Sequence, residues 1–199
     1  MNKILILFAH PLLEKSRANR MLLQHLPDSE RLTLHDLYEH YPDFNIDIGA
    51  EKERVEAHDI LVWHHPLCWY SAPALLKQWI AMVLEYGWAY GPGGQALEGK
   101  AVFNAFTSGG ARRVYCREGY NRYTIREFLH PFEQTACLCR MDYWPPFAVQ
   151  GTHRLSDEQL REQAFAYRLL LEQLLEGEVN PAELHTYDFL NDWMQQKEA

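Results

Sequence analysis

Apolar residues along this chain follow two alternating rhythms: short unbroken runs, and longer stretches where they recur every three or four positions. Lys3 to Ala9 reads Lys-Ile-Leu-Ile-Leu-Phe-Ala, a run suited to a strand buried on both faces, and it breaks at His10-Pro11. A helix is predicted from about Ser16 to His25, carrying Met21, Leu22 and Leu23. Arg31 to Asp36 alternates apolar and polar positions as a second strand, and Ile60 to His64 forms a third, broken at Pro66. Pro73 opens a helix to Leu84 with Leu76, Ile80 and Val83 on one stripe. Ala101 to Phe106 gives a fourth strand, ending in Thr107-Ser108-Gly109-Gly110. A helix from about Thr124 to Leu138 leads to a fifth strand near Trp144 to Gln150. A long helix begins at Ser156, with Glu158 and Gln159 near the position of a capping box.

Apolar strands alternating with helices imply a parallel sheet covered on both faces, because right-handed crossovers return each strand beside its neighbours. After Gly177 the pattern changes, and Asn180 to Ala199 reads as an appended helix with Leu184, Tyr187, Phe189, Leu190 and Trp193. It is too short for a domain, so it packs on the core or on a second subunit. The chain divides into a domain of residues 1–176 and a C-terminal helical extension of residues 177–199.

Composition narrows the partners. The 199 residues fit one domain, and 47% hydrophobic with 23% charged residues excludes a disordered or fibrous protein. A formal charge of −8 argues against nucleic acid or an anionic membrane as a general partner, since both require a positive field. Ile4 to Ala9 is far shorter than the roughly 20 residues of a membrane helix, and no small-residue cleavage site follows it, so a cytoplasmic protein is expected. The four cysteines are few and unevenly spaced, which favours neither a disulfide scaffold nor a zinc site, and no metal is expected. His64 and His65 are adjacent on a strand and therefore point to opposite faces.

In an open parallel sheet, ligands bind beyond the carboxyl ends of the strands. Three unusual loops leave those ends: His10 to Asn19, His65 to Tyr70, and Thr107 to Gly110. The first enters a helix, whose N-terminal amides and dipole suit a phosphate, with His10, Ser16 and Asn19 able to add side-chain donors. Ser16 also reads as a simple helix cap. Neither a Gly-x-Gly-x-x-Gly fingerprint nor a Walker lysine is present. The second loop sets Trp69 and Tyr70 side by side between Pro66 and Pro73, a wall for a flat ring. In the third, Gly109 and Gly110 let backbone amides approach a ligand closely.

Taken together, these segments resemble the flavodoxin-like NAD(P)H:quinone oxidoreductases of the DT-diaphorase type, and most of all the bacterial ancillary proteins of glutathione-gated potassium-efflux (Kef-type) systems. The resemblance rests on Ala9-His10-Pro11, Ser16-x-Ala18-Asn19, Tyr41-Pro42-Asp43-Phe44-Asn45-Ile46-Asp47-Ile48, His65-Pro66, Trp69-Tyr70-Ser71, Pro73-x-Leu75-Leu76-Lys77-x-Trp79, Gly87-Trp88-Ala89-Tyr90-Gly91 and Gly109-Gly110. It covers roughly residues 3 to 150. It implies a flavodoxin-like three-layer α/β sandwich with a five-stranded parallel sheet in the order 2-1-3-4-5.

FMN is the implied resident cofactor, with NADH or NADPH as co-substrate. The FMN phosphate would be bound by His10, Ser16, Arg17, Ala18 and Asn19, and the ring by Leu67, Cys68, Trp69 and Tyr70. Thr107, Ser108, Gly109 and Gly110 would cradle the pyrimidine edge; Ser108 stands where the family usually has a second threonine, and the hydroxyl donor survives. The implied activity is ping-pong: hydride passes from NAD(P)H to the flavin, and two electrons then pass to a quinone. Tyr115 and Tyr120 are the candidates to hydrogen-bond the quinone oxygen, because no histidine matches the one used by the diaphorases. A homodimer is implied, with Gly87 to Gly94 resembling the segment that reaches its interface.

Between Arg112 and Arg126 stand five arginines and one glutamate, a local positive patch in an acidic chain. It reads as a solvated loop, or as an anion site for the nicotinamide cofactor's phosphates or an acidic partner surface. A second functional reading is a regulatory subunit docked on a potassium-efflux antiporter, peripheral to the inner membrane through that partner, with the flavin site mainly structural. A one-electron flavodoxin carrier is disfavoured, because the phosphate loop lacks the expected hydroxyl- and glycine-rich spacing.

Overall fold

The computed structural model describes residues 1–197. Strand β1 (Ile4–Phe8) is fully buried and pairs in parallel with β2 (Leu32–Asp36) on one side and β3 (Ile60–Pro66) on the other. On the far side of β3 runs β4 (Ala101–Ser108), so the chain reverses its direction of growth at β1, as a doubly wound sheet does. Alternation divides the side chains between two cores. Ile4, Ile6 and Phe8 join one, while Leu5, Leu7 and Ala9 join the other. Helices α1 (Arg17–Gln24) and α6 (Asp157–Glu176) cover the first, which contains Leu22, Tyr167 and Leu171. Helices α3 (Ile48–Glu56), α4 (Ala74–Val83) and α5 (Ile125–Leu138) cover the second through Val55, Trp79 and Phe132. The expected sheet order and flavodoxin-like layering are both observed.

The fifth position differs from expectation. Instead of one strand over Trp144 to Gln150, two pieces pair with β4: β5 (Asp142–Tyr143) and β6 (Phe147–Gln150). Pro145 and Pro146 interrupt the ladder between them, because proline has no amide hydrogen to give. The crossover from β2 to β3 also contains elements the pattern did not predict, α2 (Leu37–His40) and α3. Helix α3 buries a carboxylate. Glu51, fully inaccessible, accepts from Tyr41 Oη at 2.7 Å, Trp79 Nε1 at 2.7 Å, His35 Nε2 at 2.9 Å and Arg54 Nη1 at 2.6 Å. Burial pushes its pKa up, but the hydrogen bonds from His35, Tyr41 and Trp79 outweigh it and hold the carboxyl below its ordinary value. The Tyr41-Pro42-Asp43 segment is thereby anchored to α3 and α4.

The two longest helices, α5 and α6, on opposite faces of the sheet, start as the pattern suggests. Thr124 with Glu127, and Ser156 with Gln159, form reciprocal capping boxes. Gly177 ends α6 in the left-handed conformation. The segment beyond it is two short helices, α7 (Pro181–Leu184) and α8 (Leu190–Lys197), not one. They pack on the core: Leu184, Leu190, Trp193 and Met194 are buried with α6 and β6. Glu198 and Ala199, part of the expected extension, lie outside the described residues.

Candidate functional site

Beyond the carboxyl ends of β1, β3 and β4 lies a trough made of two cavities that share Leu67 and meet at Gly109 and Gly110. The first, about 460 Å³, sits at the start of α1 and is lined by His10, Ser16, Arg17, Ala18 and Asn19, with Thr107, Ser108 and Gly109 opposite. Ser16 caps α1 by accepting the Asn19 amide at 3.2 Å, and it also lines the cavity. The amides of Arg17 and Ala18, at the first positions of the helix, have no preceding helical carbonyl to bond and carry the positive end of the dipole. Asn19 is buried, with Nδ2 donating to Ser16 Oγ at 2.9 Å and to Thr107 Oγ1 at 3.0 Å, while its Oδ1 is buried without a partner. A buried acceptor without a partner, on a residue that lines the cavity, calls for a donor.

His10 has a defined tautomer. Its Nδ1 accepts the Leu12 amide at 3.1 Å, so the neutral ring carries its hydrogen on Nε2. Burial lowers its pKa, with Glu14 opposing, which favours that neutral form. Four residues not singled out from the pattern also line this cavity: Leu12, Lys15, Thr152 and His153. The last two arrive from the loop after β6, whose Thr152 amide donates to the Ser108 carbonyl at 3.1 Å. His153 lies against Gly109 so closely that a Cβ there would stand 2.5 Å from its Nε2. A side chain at 109 would therefore displace the exposed His153 ring from this wall. The guanidinium of Arg17 pairs with Asp157 and the Leu155 carbonyl at the exposed edge of this cavity.

The second cavity, about 410 Å³, is lined by Leu67, Trp69, Tyr70, Gly110, Val114, Tyr115, Tyr120 and Asn121. Cys68 and Ser71 bond each other's backbones and force a tight turn, placing Trp69 at φ 49° and Tyr70 at φ 63°. Left-handed backbone is costly for bulky residues, and here it is spent on presenting aromatics: Trp69 is 94% exposed. Cys68 forms the turn and is not among the residues lining either cavity, and burial raises its thiol pKa. Phe128 on α5, another unanticipated residue, supports the wall: Tyr70 stacks on it at 4.8 Å and Tyr115 meets it edge-on at 6.3 Å. Tyr115 and Tyr120 come together in this cavity, the first half-buried and the second 88% exposed. Burial raises the Tyr115 pKa, against a lowering by the Ser108 hydroxyl, so its O–H stays a donor.

Behind the trough the adjacent histidines diverge as strand geometry requires. His64 meets Tyr167 and Phe8 on one face, and His65 stacks on Phe132 and bonds Asn104 at 2.9 Å on the other. Neither lines the cavities. The arginine-rich loop is partly neutralised. Asp192 takes Arg112 in two bonds, while Arg117 and Arg126 each approach a glutamate at 3.9 Å. Arg112 is thus already engaged as a guanidinium and is not a free anion receptor.

A profile of the family described as "Flavodoxin-like fold" matches residues 2–170. The "Glutathione-regulated potassium-efflux system ancillary protein KefG" of Erwinia tasmaniensis is 45% identical over 173 residues, spanning 87% of this chain and 94% of that protein. The structure of general stress protein 14 from Treponema denticola, in complex with FMN, shares 38% identity at a TM-score of 0.83, covering 86% of this chain and 99% of that one. A structure titled as an NADPH-quinone reductase from P. pentosaceus shares 29% identity at a TM-score of 0.77, covering 84% and 96%.

Proposed function

This chain belongs to the family with the flavodoxin-like fold, and from that membership we propose that it is an FMN-dependent NAD(P)H:quinone oxidoreductase. The observation that carries the reading is the single trough with a phosphate-suited end and an aromatic end, joined through Leu67 and the glycine pair. The residues fit the cofactor. The unpartnered Oδ1 of Asn19 offers an acceptor to a hydroxyl of its chain, and Lys15 adds positive charge beside the helix start. When bound, FMN supplies acceptance of a hydride from NAD(P)H and return of two electrons to a quinone.

The protein's contribution is to bind, orient and exclude water. His10 Nε2–H, the Ser16 hydroxyl and the amides of Arg17 and Ala18 hold the phosphate. Ser108 Oγ donates to the Gly110 carbonyl at 2.9 Å, which stiffens the glycine pair against which the pyrimidine edge would lie. Trp69 and Tyr70, braced by Phe128, form the wall for flat rings and keep water from it. Tyr115 and Tyr120 donate hydrogen bonds to a quinone oxygen, Tyr115 from a position fixed against Gly110. A homodimer belongs to the same proposal, with the Gly87–Gly94 turn beside the exposed Tyr86 at its interface. Flavin absorption of the purified protein and initial-rate kinetics test this reading. It predicts bound or titratable FMN and parallel double-reciprocal lines for NAD(P)H against a quinone; failure to take up FMN would refute it.

A second reading follows from the name of the relative that is 45% identical. In it the chain is an ancillary subunit of a glutathione-gated potassium-efflux antiporter, with the flavin site mainly structural. No described helix is long and apolar enough to cross a membrane, so attachment would run through that partner. Co-purification with the antiporter, combined with absent quinone turnover in an FMN-loaded protein, would favour it over the first.

A further inference from the structure

The residues beyond the family match end at the loop that walls the aromatic cavity. Helix α8 is fixed rigidly at that end of the molecule. Leu190, Trp193 and Met194 are buried, and Asn191 bonds both the amide and the carbonyl of Ala148 at 2.8 and 3.1 Å, filling the open edge of β6. The next residue, Asp192, grips Arg112 through two parallel bonds of 2.7 and 2.9 Å, and the same guanidinium lies 4.4 Å above the Phe189 ring.

Arg112 begins a single 3-10 turn, Arg112–Val114, and its carbonyl accepts the Tyr115 amide at 3.0 Å. Whatever holds Arg112 therefore anchors the start of the turn that carries Val114 and Tyr115, while the Tyr115 ring itself rests on Gly110 and Phe128. Most backbone bonds of the surrounding segment are internal, such as Asn121 to Val114 at 3.0 Å and Gly119 to Cys116 at 3.0 Å. Its other side-chain ties are longer: Tyr70 to Asn121 at 3.3 Å and Arg117 to Glu127 at 3.9 Å. A largely exposed loop with few ties opens readily unless one of them is strong. The two-pronged pair to α8 has the best geometry of these.

We propose that Asp192 is a positioning residue which, by holding Arg112 from α8, keeps Val114 and Tyr115 on the wall of the acceptor cavity. The C-terminal extension is then a brace for the substrate loop. The kinetic consequence rests on the reductase reading above; the mechanical one does not, and the experiment separates them.

Three full-length proteins are compared: wild type, Asp192→Ala, and the reciprocal pair Arg112→Asp with Asp192→Arg. Trypsin reports opening of the loop through cleavage after Arg113, Arg117 and Arg122. An exposed but well-aligned pair shifts such an opening equilibrium by about 5-fold, so nicking of Asp192→Ala is expected to be about 5-fold faster, and the apparent KM for a quinone to rise by a similar factor. FMN content and kcat stay close to wild type, because the phosphate end of the trough is untouched. The reciprocal pair restores slow nicking and a low KM, which rescues the geometry even if alanine at 192 loosens α8 itself. Unchanged nicking and KM in Asp192→Ala would overturn the proposal, as would a reciprocal pair that nicks as fast as the single variant. If wild type takes no quinone while nicking still responds to Asp192, the reductase reading fails and the brace stands.

Discussion

The side-chain amide of Asn19 donates to the hydroxyl of Thr107 across 3.0 Å, linking the first turn of α1 to the end of β4 inside the core. This bond joins the two sides of the phosphate end of the trough, so their spacing is set before any ligand arrives. It also fixes which way the amide faces. With Nδ2 given to Thr107 and Ser16, the acceptor Oδ1 is the atom left open.

Replacing Asn19 with alanine removes both functions. The Thr107 hydroxyl loses a buried partner, and folding stability is expected to fall by about 1–3 kcal/mol. FMN affinity is expected to fall about 10-fold, from loss of one hydrogen bond and of the preset spacing. Thermal melts of the apo protein and fluorescence titration with FMN measure the two effects separately. Retained affinity would show that the open Oδ1 faces no part of the cofactor.

Trp69 is a strained residue whose ring is almost wholly in solvent, at φ 49° and 94% exposure. Glycine adopts that backbone freely and alanine does not. Trp69→Gly is therefore expected to raise stability by about 1 kcal/mol, or about 2–4 °C in Tm, while Trp69→Ala gains little. Both lose the aromatic wall, and both should turn over quinone less efficiently. Calorimetry with steady-state kinetics on the same two variants makes the comparison, and equal melting temperatures would remove strain as the explanation.

Burial lowers the pKa of His64 to about 3 and of His65 to about 4, from an ordinary 6.5. Both folded values lie below the unfolded one, so the unfolded chain binds protons first as pH falls. Stability from these groups is complete above pH 6.5 and drains away as pH drops toward 4, at up to about 1.4 kcal/mol per pH unit for each histidine. Urea melts between pH 7 and pH 5 should show this slope. His64→Phe, whose ring keeps the contacts with Phe8 and Tyr167, should lower it by up to about 1.4 kcal/mol per pH unit, leaving the part due to His65, His10 and His58. A flat profile in wild type would show that water reaches these rings.

Legibility in the sequence follows burial pattern. Strands β1, β3 and β4 stand out because their apolar runs suit a sheet covered on both faces, and the opposed directions of His64 and His65 follow from the strand period alone. Helix α3 does not stand out, because one of its two buried positions is the carboxylate Glu51, made tolerable by partners from β2, the Tyr41 segment and α4. The break at Pro145-Pro146 is written in the residues, yet both pieces keep one strand partner, and only the sheet shows that. Lys15, Phe128, Thr152 and His153 carry no motif; they become site residues because crossovers deliver them to the trough.

By itself, then, the order of apolar runs and amphipathic stretches determined a doubly wound parallel sheet and the edge at which three loops converge, since element period and strand-end position are local properties. Tertiary structure decided what each side chain is free to do there. Arg17 pairs with Asp157, and Arg112 with an aspartate 80 residues further on, partnerships that no local pattern announces. A periodicity records which face of an element is dry; a pairing between distant residues exists only once packing has brought their elements together.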